Sequence, residues 1–449
     1  MQHIWFLLIL LTGLQQISIG QVSQQVVAVS DSSAVNPNEV SVAINSANPD
    51  NIIITGMQFN FPDGTRGITN YHWISDDGGL TWQEVPNPNP QRRTQGDDAV
   101  TFSAQGVAYH SYISFDGIRQ ERPDPARNGI FVTKSTDGGR SWSNQRTVVD
   151  HLNTVLPFED KSWLVTDNRP PEQSPHSGNL YLTWTRFDEY GSSRPSDSTQ
   201  IFFSRSTDKA ESFSMPVRIS DHGGNALDNS NTVEGAVPSV GPNGEIYVAW
   251  SGPLGIVFDK SLDGGLTFGK DTHVADDPGG WDMEIKGISR ANGMPVTGVD
   301  VSEGPYHGNI YINWVDKRNG DADVFCAYSK DGGRNWSDPM RVNDDQIGNG
   351  VDQFFTWMAV DPADGNIYIA FYDRRYGNGI ETGLTLARST NGGGTFTNYR
   401  IDQPLFKTSD EVFFGDYLGI DAFEGSVVVA YQHFRDKKLA ISASIFTFD

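Results

Sequence analysis

The chain has 449 residues, 20% of them charged, and a formal net charge of −23 from 56 acidic and 33 basic side chains. That balance disfavours nucleic acid and anionic membrane surfaces as partners, because both are polyanions. The single cysteine, Cys326, lies in the strand-like run VFCAYS and has no internal partner, so the chain must be held by its core.

At the N-terminus, Ile4 to Leu14 (IWFLLILLTGL) is an apolar run of signal-peptide length, too short to span a bilayer. Ser18 and Gly20 are the small residues expected before a cut at Gln21. Residues 1–20 are therefore expected to be a signal peptide and residues 21–449 one exported domain, secreted or periplasmic. No other stretch is long and apolar enough for a membrane span, and the mature chain is expected to be a monomer.

A short motif then recurs six times, starting at Ser75 (SDDGGLTW), Ser135, Ser206, Ser261, Ser329 and Ser389, with spacings of 60, 71, 55, 68 and 60 residues. Such a period means one supersecondary unit stacked many times. Within the motif, Asp bonds the N–H groups of its own turn and Gly supplies positive φ, so each copy joins two strands of a hairpin. The aromatic that follows (Trp82, Trp142, Phe213, Phe268, Trp336, Phe396) opens the next strand and can wedge between sheets. Copy three has Lys209 and Ala210 in place of the glycines, and copy six has Asn391 in place of Asp.

Each motif closes a four-stranded meander, best seen in FTWMAV, IYIAFYD, LTLARS and TFTNYRI. A seventh unit without the motif (YLGIDAF, SVVVAYQHF, KLAISASIFTF) supplies three strands, and Gln25 to Ser30 (QVVAVS) is the obvious donor of its fourth. The expectation is an all-β, seven-bladed β-propeller closed by its N-terminal strand. Six blades with a β-appendage is the alternative.

A propeller's functional face gathers the loops leading into its inner strands and those joining its second and third strands. Aligned on the residue ending the inner strand (Asn45, Asp167, Gly241, Asp300, Asp361, Asp421), Asp160 and Glu234 stand seven positions upstream, and Asp97 is assigned the same place in blade two. Arg318, Arg375 and Arg435 each stand four residues beyond the aromatic ending strand two of blades five to seven. Three guanidiniums suit a sugar carboxylate, and carboxylates across the funnel suit acid–base cleavage of a glycosidic bond. Equally, Arg318 and Arg375 stand two residues after Asp316 and Asp373 and can pair with them to brace a loop.

Ser-x-Asp-x-Gly-Gly-x-Thr/Ser-Trp/Phe is the Asp-box, and the chain resembles the sialidase/BNR-repeat superfamily of β-propellers. The resemblance implies that the boxes lie on the face away from the active site. It also implies an exo-α-sialidase-like hydrolase acting on an acidic glycan, either sialic-acid-like or uronic. Tyr417 would be the nucleophile and Glu234 its activating partner. Asp97 or Asp98 would be the acid/base, and Arg318, Arg375 and Arg435, with Asp160, would bind substrate. The chain lacks the family's Phe/Tyr-Arg-Ile-Pro segment in blade one.

Two other readings stand beside the hydrolase: a non-catalytic glycan- or protein-binding propeller, and a polysaccharide lyase using His433 with Tyr417. No cofactor is required by any of these readings, and the histidines show no metal-ligand spacing. Acidic turns at Asp361–Asn366 and Asn319–Asp323 suit either Ca²⁺ or ordinary turn chemistry.

Overall fold

The computed structural model describes residues 22–116, 127–152, 154 and 156–448, so the expected signal peptide lies outside the described residues. Seven antiparallel sheets form the ring. Blade one runs Asn38–Ile44, Ile52–Asn60, Arg66–Ser75 and Gln83–Pro86 from the axis outward. The inner strands of blades two to seven are Thr94–Phe102, Phe158–Thr166, Glu234–Val240, Val296–Val299, Gln353–Val360 and Gly419–Phe423. In blade seven, Val22–Ala28 pairs antiparallel with Lys438–Phe448, from Val22 opposite Phe448 to Ala28 opposite Ser442. The first strand thus closes the ring and covers an edge that would otherwise be open. Seven blades stand in place of the six-bladed alternative.

All six Asp-boxes fold alike. In the first, the Ser75 hydroxyl accepts the Gly79 N–H at 2.8 Å, while Asp77 accepts the Thr81 N–H at 2.9 Å and its hydroxyl at 2.6 Å. In box six, Asn391 keeps one half of this by accepting the Thr395 N–H at 2.9 Å and inverts the other by donating to the Thr395 hydroxyl at 2.9 Å. In box three, Lys209 and Ala210 take the positive φ of the missing glycines, 61° and 63°.

The box aromatics wedge between blades as expected. Trp142 stacks on His72 of the preceding blade at 4.0 Å, and Phe268 and Trp336 contact Phe203 and Phe258 of theirs at 4.8 and 5.1 Å. In boxes four and five the second glycine, Gly265 and Gly333, lies against the Phe203 and Phe258 of these contacts. At Gly333, φ is +80° and a Cβ would lie 2.3 Å from Phe258. Gly333→Ala is therefore expected to cost about 2 kcal/mol or more, from strain and overpacking together; denaturant unfolding measures it.

The boxes also set an acid limit on stability. Ser212's hydroxyl and backbone N–H hold the Asp208 carboxyl down at about 2. A carboxylate lowered in the fold stabilises above its unfolded value of 3.8 and loses that contribution as pH falls toward about 2. The stability gap between wild type and Asp208→Asn is expected to narrow between pH 4 and pH 2 (about the range set by that linkage); melting curves across that range check it.

Candidate active site at the funnel mouth

Each inner strand starts at the face opposite the Asp-boxes, and five of them carry a bulge there. The register shifts at Asn38/Ser41, Gly96/Ala99, Asp160/Trp163, Glu234/Val237 and Phe354/Trp357. The residue inside each bulge takes positive φ: Glu39 54°, Asp97 51°, Lys161 49°, Gly235 77° and Phe355 48°. Four of these five are not glycine, in a region of backbone space that disfavours side chains. A bulge re-aims the side chain it carries, here toward the funnel.

The bulges correct the alignment of blade two. Gly96, not Asp97, is the equivalent of Asp160 and Glu234, and Asp97 is the equivalent of Lys161. Its side chain still reaches the site: the Asp97 carboxylate accepts the Lys161 backbone N–H at 2.9 Å and hydrogen-bonds the Asp160 carboxyl.

A cavity of about 450 Å³ opens here over blades one to three. Its polar floor carries Glu39, Asp97, Asp160, Lys161, Tyr190 and Arg290, and its wall is largely phenylalanine: Phe59, Phe115, Phe158 and Phe413. Beneath the floor lies Asp416, fully buried, whose carboxylate accepts the Lys161 ammonium at 2.6 Å and Arg290 Nε at 3.1 Å and also bonds Arg290 Nη2. Arg290 Nη1 reaches Asp228 at 3.0 Å, and Asp228 also accepts the Trp281 indole N–H at 3.0 Å and the Tyr190 hydroxyl.

Electrostatics divide the carboxyls. Burial alone would raise Asp416, but Arg290 and Lys161 outweigh it and hold the carboxyl at about 2. Burial would likewise discharge Lys161, yet Asp416 and Asp97 keep its ammonium well above the usual range. Asp160 goes the other way: burial and the Asp97 charge beside it push the carboxyl well above its ordinary range, favouring the protonated form. Burial, then Asp97 and Asp416, does the same to Glu39.

The other expected site residues are placed as follows. Asp98, next to Asp97, turns away between blades one and two and bonds His110 at 2.6 Å, which bonds His72 at 3.0 Å. Burial raises the carboxyl and lowers both imidazoles, so this is a neutral structural chain and not a surface acid/base. Tyr417 is buried below the cavity, edge-on to Trp163 at 5.0 Å, and its hydroxyl has no partner among the described residues. Both Glu234 carboxyl oxygens are also buried without a partner, so Glu234 does not touch Tyr417. Burial raises both groups, which leaves the tyrosine a poor nucleophile in this arrangement.

The three arginines do not converge. Arg318 Nε bonds Asp316 at 2.9 Å and its Nη2 bonds the Asp276 carbonyl at 2.7 Å. Arg375 pairs with Asp373 at 2.7 Å and with Asp344. Arg435 is exposed at the hairpin facing Lys438. Arg318 and Arg375 brace loops, the alternative that the Asp-x-Arg spacing already offered. The acidic turns are spent similarly: Asp361 accepts the Ala363 and Gly425 N–H groups at 2.9 and 2.8 Å, and Asp323 bonds Arg341 and Asn343 at 2.8 and 2.7 Å. Among the described residues, no group of three or more His, Cys, Asp or Glu is arranged to hold a metal ion. His433 bonds Ser442 at 2.9 Å, away from Tyr417.

Glu39, Lys161, Arg290, Asp228 and Asp416 were missed. Glu39 and Lys161 follow directly on the aligned positions Asn38 and Asp160, so extending the alignment by one residue would have found both. Arg290 and Asp228 come from irregular loops that no repeat marks.

The BNR/Asp-box repeat family model matches residues 73–84, the first box. A protein of unknown function from Dyadobacter fermentans superposes with a TM-score of 0.53 and 14% identity over 95% of this chain and 99% of that one. A Penicillium chrysogenum α-L-arabinanase (TM-score 0.48, 11% identity, 94% and 98%) and a Hadza microbial sialidase (0.48, 12%, 95% and 92%) are also similar. No curated protein matches the sequence. The chain is thus an all-β, seven-bladed propeller built on BNR/Asp-box repeats. At such low identity the likeness establishes the fold, and chemistry must be argued from the site.

Replacing Asp416 by Ala leaves the buried Lys161 ammonium without its ion-pair partner and takes from Arg290 one of its two carboxylates. The variant is expected to lose about 3–5 kcal/mol, the usual penalty for breaking a buried ion pair on one side. Urea unfolding of the purified variant tests this.

Proposed function

We propose that the protein is an exported glycan-active enzyme, an acid–base glycoside hydrolase working in the funnel cavity. The observation that carries this reading is the hydrogen-bonded Asp97–Asp160 pair on the cavity floor, with Asp160 kept protonated by burial and by its neighbour. A protonated carboxyl at neutral pH is what donation to a leaving glycosidic oxygen needs. A water replaces the leaving group at the anomeric carbon, and Asp97, fixed by the Lys161 N–H, is the base placed to take that water's proton and return it to Asp160. The two carboxyls touch, so they act as one proton-sharing unit and not as the pair, ~5 Å or more apart, that flanks a scissile bond. The phenylalanine wall supports a sugar ligand, whose C–H face packs on aromatic surface.

Sialidase specificity has no arginine cluster to rest on. Arg290 is the guanidinium lining the cavity, and Asp228 and Asp416 already neutralise it. A second reading, a binding propeller without turnover, is favoured by the unpaired Tyr417 and Glu234. Export rests on the apolar run Ile4–Leu14 and the small residues Ser18 and Gly20.

Incubation with a panel of neutral, amino, sialylated and uronate glycans, read for reducing ends and for unsaturated products, separates these readings. Reducing ends without unsaturation are expected. Asp160→Asn should lower kcat by ~10²–10⁴-fold, and Arg375→Ala should leave it unchanged. Binding without turnover establishes the binding propeller, and unsaturated products establish a lyase.

A further inference from the structure

Resting on the glycan reading, we propose that the cavity takes a sugar unit bearing a protonated amine, its ammonium seated among Glu39, Asp97 and Asp160. Three carboxyl side chains line the cavity against two cations, Lys161 and Arg290. Both cations are already engaged. Lys161 is 3% exposed with its ammonium on Asp416, and Arg290 spends its donors on Asp416 and Asp228. A ligand carboxylate would have to displace those partners and then face Glu39, Asp97 and Asp160. An ammonium meets the opposite field.

Glu39 supplies the independent observation. It is 3% exposed and lines the cavity, yet no donor among the described residues hydrogen-bonds its carboxyl. Its bulge holds it at φ 54°, a conformation that disfavours a side chain, so the backbone is strained to aim an unpaired acid at this space. A carboxyl that is almost wholly buried, lines a cavity and takes no donor from the described residues is free to accept from a cationic ligand group.

The groups facing Glu39 are Asp97, Asp98, Asp416, Tyr417, Lys161 and Arg290. Burial first, then the Asp97 and Asp416 carboxylates among them, raise the Glu39 carboxyl well above its ordinary range and favour its protonated form. A bound ammonium would reverse that balance and expel the proton from Glu39, while Asp160 keeps its own against Asp97. Affinity would therefore rise with pH through the range where Glu39 ionises, until the ligand amine itself deprotonates.

Calorimetry at physiological salt, in two buffers of different ionisation enthalpy, tests this with a glucosamine oligosaccharide, its N-acetylated counterpart, 3′-sialyllactose and spermidine. The expected result is about tenfold preference for the free amine over its acetylated form, a difference readily resolved in Kd, with net proton release. Glu39→Gln should remove both the preference and the release, and Asp276→Asn, at an exposed site, should change neither. The pH dependence of wild-type affinity gives the same answer without a variant. Equal or better binding of the acetylated or sialylated sugar overturns this inference and leaves the glycan reading standing. Spermidine binding as tightly as the amino sugar, unaffected by Glu39→Gln, overturns it as attraction to net charge alone. No sugar binding at all removes the glycan reading with it.

Discussion

Everything at the funnel mouth is organised around one buried carboxylate. Asp416 enters just before the inner strand of blade seven, and it fixes Lys161 from blade three and Arg290 from the loop before blade five. Three parts of the ring far apart in sequence are thereby locked on one charge. Ion pairs of this kind gain little over an apolar core, because desolvation cancels most of the attraction. Their usefulness here is positional: with Lys161 held, its backbone N–H is aimed at Asp97, and Asp97 is brought against Asp160.

The bulges turn that lock into a site. An unbroken inner strand would alternate its side chains between the faces of its own blade, and none would point along the axis. One extra residue per strand, at positive φ, rotates Glu39, Asp97 and Lys161 toward the funnel. Each such residue costs on the order of 1–3 kcal/mol. The stacked blades and their aromatic wedges, on the opposite face, supply the rigidity that offsets this. The Asp-box turns thus lie at one end of the axis and the bulge carboxyls of the candidate site at the other.

The fold was legible because its signal is redundant. Six copies of the box, with turn chemistry readable residue by residue, define the blade, and the unpaired run QVVAVS could only complete the seventh. The site was legible only in part. Blade alignment brought Asp97 and Asp160 forward, but spacing cannot reveal a bulge, so Asp97 and Asp98 looked interchangeable. They point to opposite ends of the chemistry, one at the cavity and one at His110. The arginines looked like a cluster because equal spacing put them at equal blade positions. Equal spacing also put an aspartate two residues before Arg318 and Arg375, and the shorter reach won. Arg290 sits in a loop of its own, where periodicity carries no information.

The central claim is that burial and the neighbouring Asp97 raise the Asp160 carboxyl well above its ordinary range, so that it holds a proton where a free carboxyl would have lost it. Infrared difference spectroscopy between wild type and Asp160→Asn, across the pH range around neutrality, reads this directly. The account predicts a protonated-carboxyl band in the wild type that the variant lacks and that persists well above the pH at which a free carboxyl ionises. A spectrum in which the variant removes an ionised carboxylate instead would contradict it, and with it the assignment of Asp160 as proton donor.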